Sequence, residues 1–215
     1  MDERCGSAWF GCNAVRISVV HEFLQIDNIG DAMILRFTRP EIRNPLSREV
    51  IERLHEIVGE IASGELRRVI FTGSGDAFAS GANLKEIGAL TAEEAPEFAR
   101  LGQSLMHKID ELPQLVIAAI NGHCFGGALD LALACDIRIA SPNATFCHPG
   151  AGLGIITGWS GTQRLPRLIG SANALEMFFT ATPIDAERAL KIGLIDEIAD
   201  IALSAAIHHL PQMHE

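Results

Sequence analysis

Basic charge is scarce in this chain. Lys and Arg total 17 against 27 Asp and Glu in 215 residues, a formal net charge of -10. Binding a phosphate backbone demands clustered cations, so nucleic acid is excluded as the main partner. Long apolar runs are also missing: none approaches the roughly 18 residues that would span a bilayer, and no membrane partner is expected. The opening "MDERCGSAWFGCNAVRISVV" is acidic and has no apolar stretch of signal-peptide length. The five cysteines are odd in number and show no C-x-x-C spacing. Cys124, Cys135 and Cys147 lie in apolar context, where a reduced thiol acts as a small hydrophobe. The expectation is a soluble protein of a reducing, cytoplasmic compartment.

Several signatures fail on their spacing. There is no G-K-[ST] for a phosphate loop, and "GAGLG" (150–154) runs into "IITGWS", which does not open a helix as a dinucleotide loop requires. "GWSGT" puts Thr162 where a nucleophile elbow needs its second glycine, which argues against Ser160 as a hydrolase serine. His208, His209 and His214 crowd the tail, but zinc needs three or four fixed ligands, so no metal is expected.

What is present suits one α/β domain. Hydrophobic residues make up 48% of the chain, enough for one substantial core. "FLQIDN" and "AMILRF" alternate around a turn and read as a hairpin. "NPLSREVIERLHEIVGEIA" (44–62) has helical spacing with Ser47 as N-cap. "RRVIFTG" (67–73) is a β-branched strand, and 91–112 is a helix expected to break or bend near Pro96. "QLVIAAING" (114–122) is apolar throughout, as for a strand covered on both faces. "ALDLALAC" then reads as a helix, "DIRIAS" and "ATFCHP" as strands, and three short helices follow. Positions 1–20 show no period and are expected to be a weakly ordered lead-in, with the domain over 21–198 and a short helical tail over 199–215.

Two runs carry chemistry. "FASGANLKE" (78–86) and "FGGALD" (125–130) each end a strand in small residues and then start a helix, a geometry that exposes backbone N–H groups. Two such turns brought together would form a preorganised site for a developing oxyanion. Taken singly, either turn equally suits mere close packing. Asp130 adds a carboxylate among leucines and alanines. The helix dipole alone gains roughly 0.3–1 kcal/mol there, less than the several kcal/mol lost on burying an ion, so a function or a full set of partners is required.

With these segments in hand, the chain resembles the enoyl-CoA hydratase/isomerase (crotonase) superfamily over about residues 22–198. "TGSGDAFASGANLKEI" resembles the first oxyanion-hole segment and "AAINGHCFGGALDLALACDIRIAS" the second, while "GTQRLPRLIG" and "ANALEMFFTATPIDAERALKIGLIDEI" are similar to the later helices. The resemblance implies a crotonase-type spiral of ββα units with C-terminal helices (the ClpP/crotonase-like class), a homotrimer or hexamer, and an acyl-CoA substrate, with coenzyme A as part of the thioester and no permanently bound cofactor. It implies backbone N–H groups of Ala82 and Gly127 gripping the thioester carbonyl, with Ser80 and Gly126 among the residues that bind the coenzyme A thioester. Of the two family glutamates that handle the added water, the first aligns with Asp130 and the second with Gly150. His148 is a candidate replacement acid or base, with Asp76 and His123 weaker ones; Asn83 stands where many members have Asp. Arg39, Arg43 and Lys85 are candidate contacts to phosphate or adenine. Hydration of a 2-enoyl-CoA is the family default. The alternatives are another enolate reaction (isomerisation, decarboxylation or thioester hydrolysis) or a non-catalytic homologue that keeps CoA binding or assembly. The family's tail usually covers the acyl pocket, so the short ending here predicts closure by a neighbouring subunit or an open pocket.

Overall fold

The computed structural model describes residues 17–62 and 66–209. Cys5, Cys12 and His214 lie outside them.

The chain begins with three antiparallel strands, β1 (Ile17–Val20), β2 (Leu24–Ile29) and β3 (Ala32–Phe37). A two-residue Gly30–Asp31 turn joins β2 to β3, with Gly30 at φ 60°, the left-handed backbone such turns require. After β4 (Pro45–Leu46), α1 (Arg48–Ile61) starts at Ser47, whose side chain accepts a hydrogen bond from the Val50 N–H at 3.3 Å. It buries Val50, Ile51, Leu54, Ile57, Val58 and Ile61 along one face, the stripe expected of an amphipathic helix.

The remainder repeats one plan. A long strand crosses the main sheet, a short strand crosses a second sheet, and a helix follows. The first turn of this spiral is β5 (Arg68–Thr72), β6 (Ala77–Ala79), β7 (Gly81–Ala82), α2 (Leu84–Ala89) and α3 (Ala95–Asp110). The second is β8 (Leu115–Ile120), β9 (His123–Phe125) and α4 (Gly127–Leu133), and the third is β10 (Ile137–Ala140), β11 (Thr145–Cys147) and the one-turn α5 (Gly150–Leu153). Then come α6 (Gly161–Ile169), α7 (Ser171–Thr180), β12 (Ile184–Asp185), α8 (Ala186–Lys191), β13 (Glu197–Ile198) and α9 (Ala202–His208). The main sheet has the order β1-β2-β3-β5-β8-β10-β13, parallel from β3 onward. The second sheet is β12-β11-β9-β6, and β4 pairs with β7.

Both faces of the main sheet are covered. Val69, Phe71, Val116, Ala118 and Ile120 enter the larger core with α1, α3 and α4, while Ile70, Ile117 and Ala119 turn to the opposite face, where Ala202 and Ala206 of α9 meet them. That explains the unbroken apolar run of β8.

Three expectations change. Residues 17–20 pair with β2 in register Ile17↔Asn28 to Val20↔Gln25, so the sheet starts before the expected boundary at 21. This edge strand leaves Val19 and Val20 exposed, so no burial period marks it. Pro96 does not break a helix: α3 begins at Ala95, and a first-turn proline needs no acceptor for its missing N–H. Finally, α9 is not an appendage to the domain, because its alanines seal one face of the sheet.

Candidate active site

The spiral brings three strand-to-helix turns to one cavity. The end of β7 contributes Ala82, the passage from β9 into α4 contributes Gly126 and Gly127, and the passage from β11 into α5 contributes His148, Pro149 and Gly150; all line a cavity of about 490 Å³. Ser80 is also in its wall. The far side is apolar, with Leu84, Ile87, Phe98, Ile156, Phe178 and Phe179 among its residues.

The first two turns are pressed together. A methyl group at Gly127 would stand 3.3 Å from the Ala82 nitrogen, and one at Gly81 would stand 2.8 Å from the Gly127 nitrogen. With ordinary covalent lengths, the two amide nitrogens are therefore within about 6 Å of each other. Gly81 has φ 89° and its α-carbon faces the Phe125 carbonyl, where a methyl would come within 2.5 Å. Only glycine fits there. Gly127 opens α4, and Gly126 at φ 54° is its N-cap, so the Gly127 N–H has no acceptor within its own helix. The indole of Trp159 wedges against Gly127 and Gly102, in tilted contact with Phe98 at 5.6 Å between ring centroids.

Behind these amides lies Asp130, the fourth residue of α4, with no exposed surface. It does not itself line the cavity, so the carboxylate expected at the reacting centre sits one layer back. The Thr157 hydroxyl donates to its Oδ2, and His148 Nε2 lies 3.7 Å from its Oδ1. Burial pushes the Asp130 carboxyl up to about 7, against the opposing pull of the Thr157 hydroxyl, the Trp159 and Gly161 amides and the Arg164 charge. His148 is 3% exposed, its ring is 5.0 Å from that of Phe178, and burial lowers it to about 4. Neither ring nitrogen of His148 has a hydrogen-bond partner among the described residues. Near neutral pH the imidazole is uncharged and Asp130 is the stronger base of the pair.

At Gly150 the space a side chain would take is filled. A methyl there would lie 2.4 Å from the Ile155 carbonyl oxygen, and the Ile155 N–H donates to the Gly150 carbonyl at 3.0 Å. The loop has folded in over Gly150.

The remaining candidates lie away from the cavity wall. Arg39 is half-exposed beside Glu41 at 3.6 Å. Arg43 and Lys85 are exposed, although the Arg43 carbonyl accepts from the Ser80 N–H at 2.9 Å and Lys85 follows the Asn83 N-cap of α2, so both border the β7 turn. His123 Nδ1 is 2.7 Å from the Thr145 hydroxyl and its Nε2 is 3.9 Å from Asp76, a grouping on the second sheet outside the cavity. Sequence reasoning missed Thr157 and Trp159. Both lie in a stretch without periodicity, and the only hint was its position next to "GTQRL".

The arrangement is a pair of closely approaching backbone turns in the wall of an apolar pocket. Residues 30–211 match the family described as enoyl-CoA hydratase/isomerase, and the chain belongs to that family. It is 38% identical over 177 residues to a short-chain-enoyl-CoA hydratase of Clostridium acetobutylicum, covering 81% of this chain and 68% of that protein. It is 40% identical over 167 residues to a crotonyl-CoA hydratase of Syntrophomonas wolfei, covering 77% and 64%. The chain thus spans about two thirds of the length of these relatives. The crystal structure of an enoyl-CoA hydratase from Bacillus anthracis superposes with a TM-score of 0.83 at 36% identity, covering 86% of this chain and 74% of that one. The fold is the crotonase fold that the ββα spiral implied.

Proposed function

We propose that this chain binds an acyl-CoA thioester and stabilises its enolate, hydrating a short-chain 2-enoyl-CoA. The observation that carries this is the convergence of the Ala82 and Gly127 amides in the wall of an apolar cavity, with Asp130 directly behind them. As water adds to the β-carbon, charge moves onto the thioester oxygen. Two fixed N–H groups then stabilise it without reorganising, a contribution of about 10²- to 10³-fold per donor. Asp130 supplies the base and His148 a polar wall group; no resident cofactor takes part.

A second reading, proton transfer within the enolate leading to double-bond isomerisation, is favoured by one observation: a single carboxylate remains, and the Gly150 position cannot supply another. Turnover of crotonyl-CoA by the wild type and by Asp130→Ala separates the two. Hydration predicts rapid wild-type turnover and a loss of at least about 10²-fold in the variant. Near-zero rates in both remove hydration.

The same proposal includes a homotrimer or hexamer. The apolar rim of the cavity, Leu153, Ile156 and Phe179, is exposed in the isolated chain, which supports closure by a neighbouring subunit. A reducing, cytoplasmic setting is supported by the buried free thiols of Cys124, Cys135 and Cys147.

A further inference from the structure

Asp130 has no surface of its own, so any proton it exchanges with the cavity must pass through another group. On one side that group is Thr157, half-buried in the cavity wall, whose hydroxyl donates to Oδ2. On the other side stands His148, also in the wall, with both ring nitrogens lacking a partner among the described residues although the ring is almost wholly buried. A buried polar atom left without a partner is costly, so this spot favours a polar occupant such as water. Gly150 offers no side chain to hold that water, and its outward space is closed by the Ile155 carbonyl.

We propose that the Thr157 hydroxyl is a catalytic group that relays the proton between a cavity water and Asp130, replacing the acid that Gly150 lacks. This rests on the acyl-CoA reading above. His148 holds the water by hydrogen bonding and positions it. The water oxygen forms a bond to the β-carbon as its O–H bond breaks; that proton goes to Thr157 Oγ1, whose own proton moves to Asp130 Oδ2. The electron pair of the double bond shifts to the thioester oxygen, held by the Ala82 and Gly127 amides. Asp130 then returns the proton through the same hydroxyl to the α-carbon, the enolate collapses, and the 3-hydroxyacyl product contains every atom of the water.

The test is steady-state hydration of crotonyl-CoA by the wild type, Thr157→Val, Thr157→Ser, Asp130→Asn and the Thr157→Val/Asp130→Asn double variant, with butyryl-CoA binding as a check on the pocket. Valine keeps the shape and removes the hydroxyl. It is expected to lower kcat about 10²-fold with KM within about threefold, while serine stays within about tenfold of the wild type. The double variant should be no more than about threefold slower than Asp130→Asn alone, because both changes cut one path. A valine variant retaining more than half the wild-type kcat, or losses that multiply in the double variant, overturns the relay and leaves the acyl-CoA reading standing. If valine also abolishes butyryl-CoA binding, serine decides: a loss beyond about 10²-fold with binding intact overturns the relay. A wild type that hydrates no 2-enoyl-CoA overturns the hydration reading and the relay with it.

Discussion

The cavity has two unlike walls. The one formed by Gly81–Ala82 and Gly126–Gly127 is fixed from several directions: β4 pairs with β7, the Gly126 N–H donates to the Cys147 carbonyl at 2.8 Å, and Trp159 fills the space against Gly127. The opposite wall, residues 148–158, has a one-turn helix and a loop in which residues 151–156 are all exposed. The first wall presents backbone amides and admits no side chain at Gly81. The polar side chains His148 and Thr157 stand on the more exposed wall, facing Asp130 of α4. A site built this way can keep its electrostatics while its acid–base groups are exchanged.

The comparison is broken most severely at the rigid wall. Gly81→Ala places a methyl 2.5 Å from the Phe125 carbonyl and 2.8 Å from the Gly127 nitrogen at a left-handed φ. Crotonyl-CoA kcat/KM should fall by about 10³-fold or more, as the two amides separate. Next comes Asp130→Asn, expected to lower kcat by about 10²- to 10⁴-fold. In the wild type, kcat/KM should rise with pH through about 7 as the carboxyl of the free protein ionises.

The same substitution should have the opposite effect on stability. The folded Asp130 carboxyl titrates near 7, above its ordinary value of 3.8, so its contribution is full below about 4 and is lost as pH rises toward 7. Asp130→Asn should therefore match the wild type in unfolding free energy near pH 4 and exceed it at pH 8 by up to about 4 kcal/mol, measured by denaturant unfolding at each pH. Equal unfolding free energies across that range would mean that the carboxylate is far better solvated than its burial implies.

Smaller effects sharpen the contrast. Gly150→Glu should not raise turnover despite adding a carboxyl beside the cavity, because the Ile155 carbonyl occupies the space; a Tm drop equivalent to about 1–3 kcal/mol is expected. A gain of tenfold in kcat would show instead that the loop yields easily. Smallest of all, Lys85→Ala should raise KM for crotonyl-CoA about two- to fivefold with kcat unchanged, as an exposed cation contributes little.

The legible parts of the sequence are those where burial imposes a period. The helix after Ser47 and the doubly covered strand before Gly122 were readable because each apolar residue had a core face to meet. The two turns were readable because close approach of backbones admits only glycine or alanine. Legibility failed where the reason for a residue lies far along the chain. Thr157 is tied to Asp130 across 27 positions, and Trp159 answers to glycines at 102 and 127. The alanines of α9 read as a tail because small residues carry a weak signal, although they close a sheet face. Asp130 was recognised as anomalous, but its retreat behind the cavity surface depends on the fold of a loop that no local pattern specifies.

Trp159 gives the protein a built-in optical gauge. The chain has just two tryptophans, and this indole touches the very glycine whose amide would hold a bound carbonyl. Replacing Trp9 with phenylalanine would leave a single emitter, whose spectrum should shift as a thioester docks, so occupancy of the carbonyl seat can be followed by light alone even when nothing is turned over.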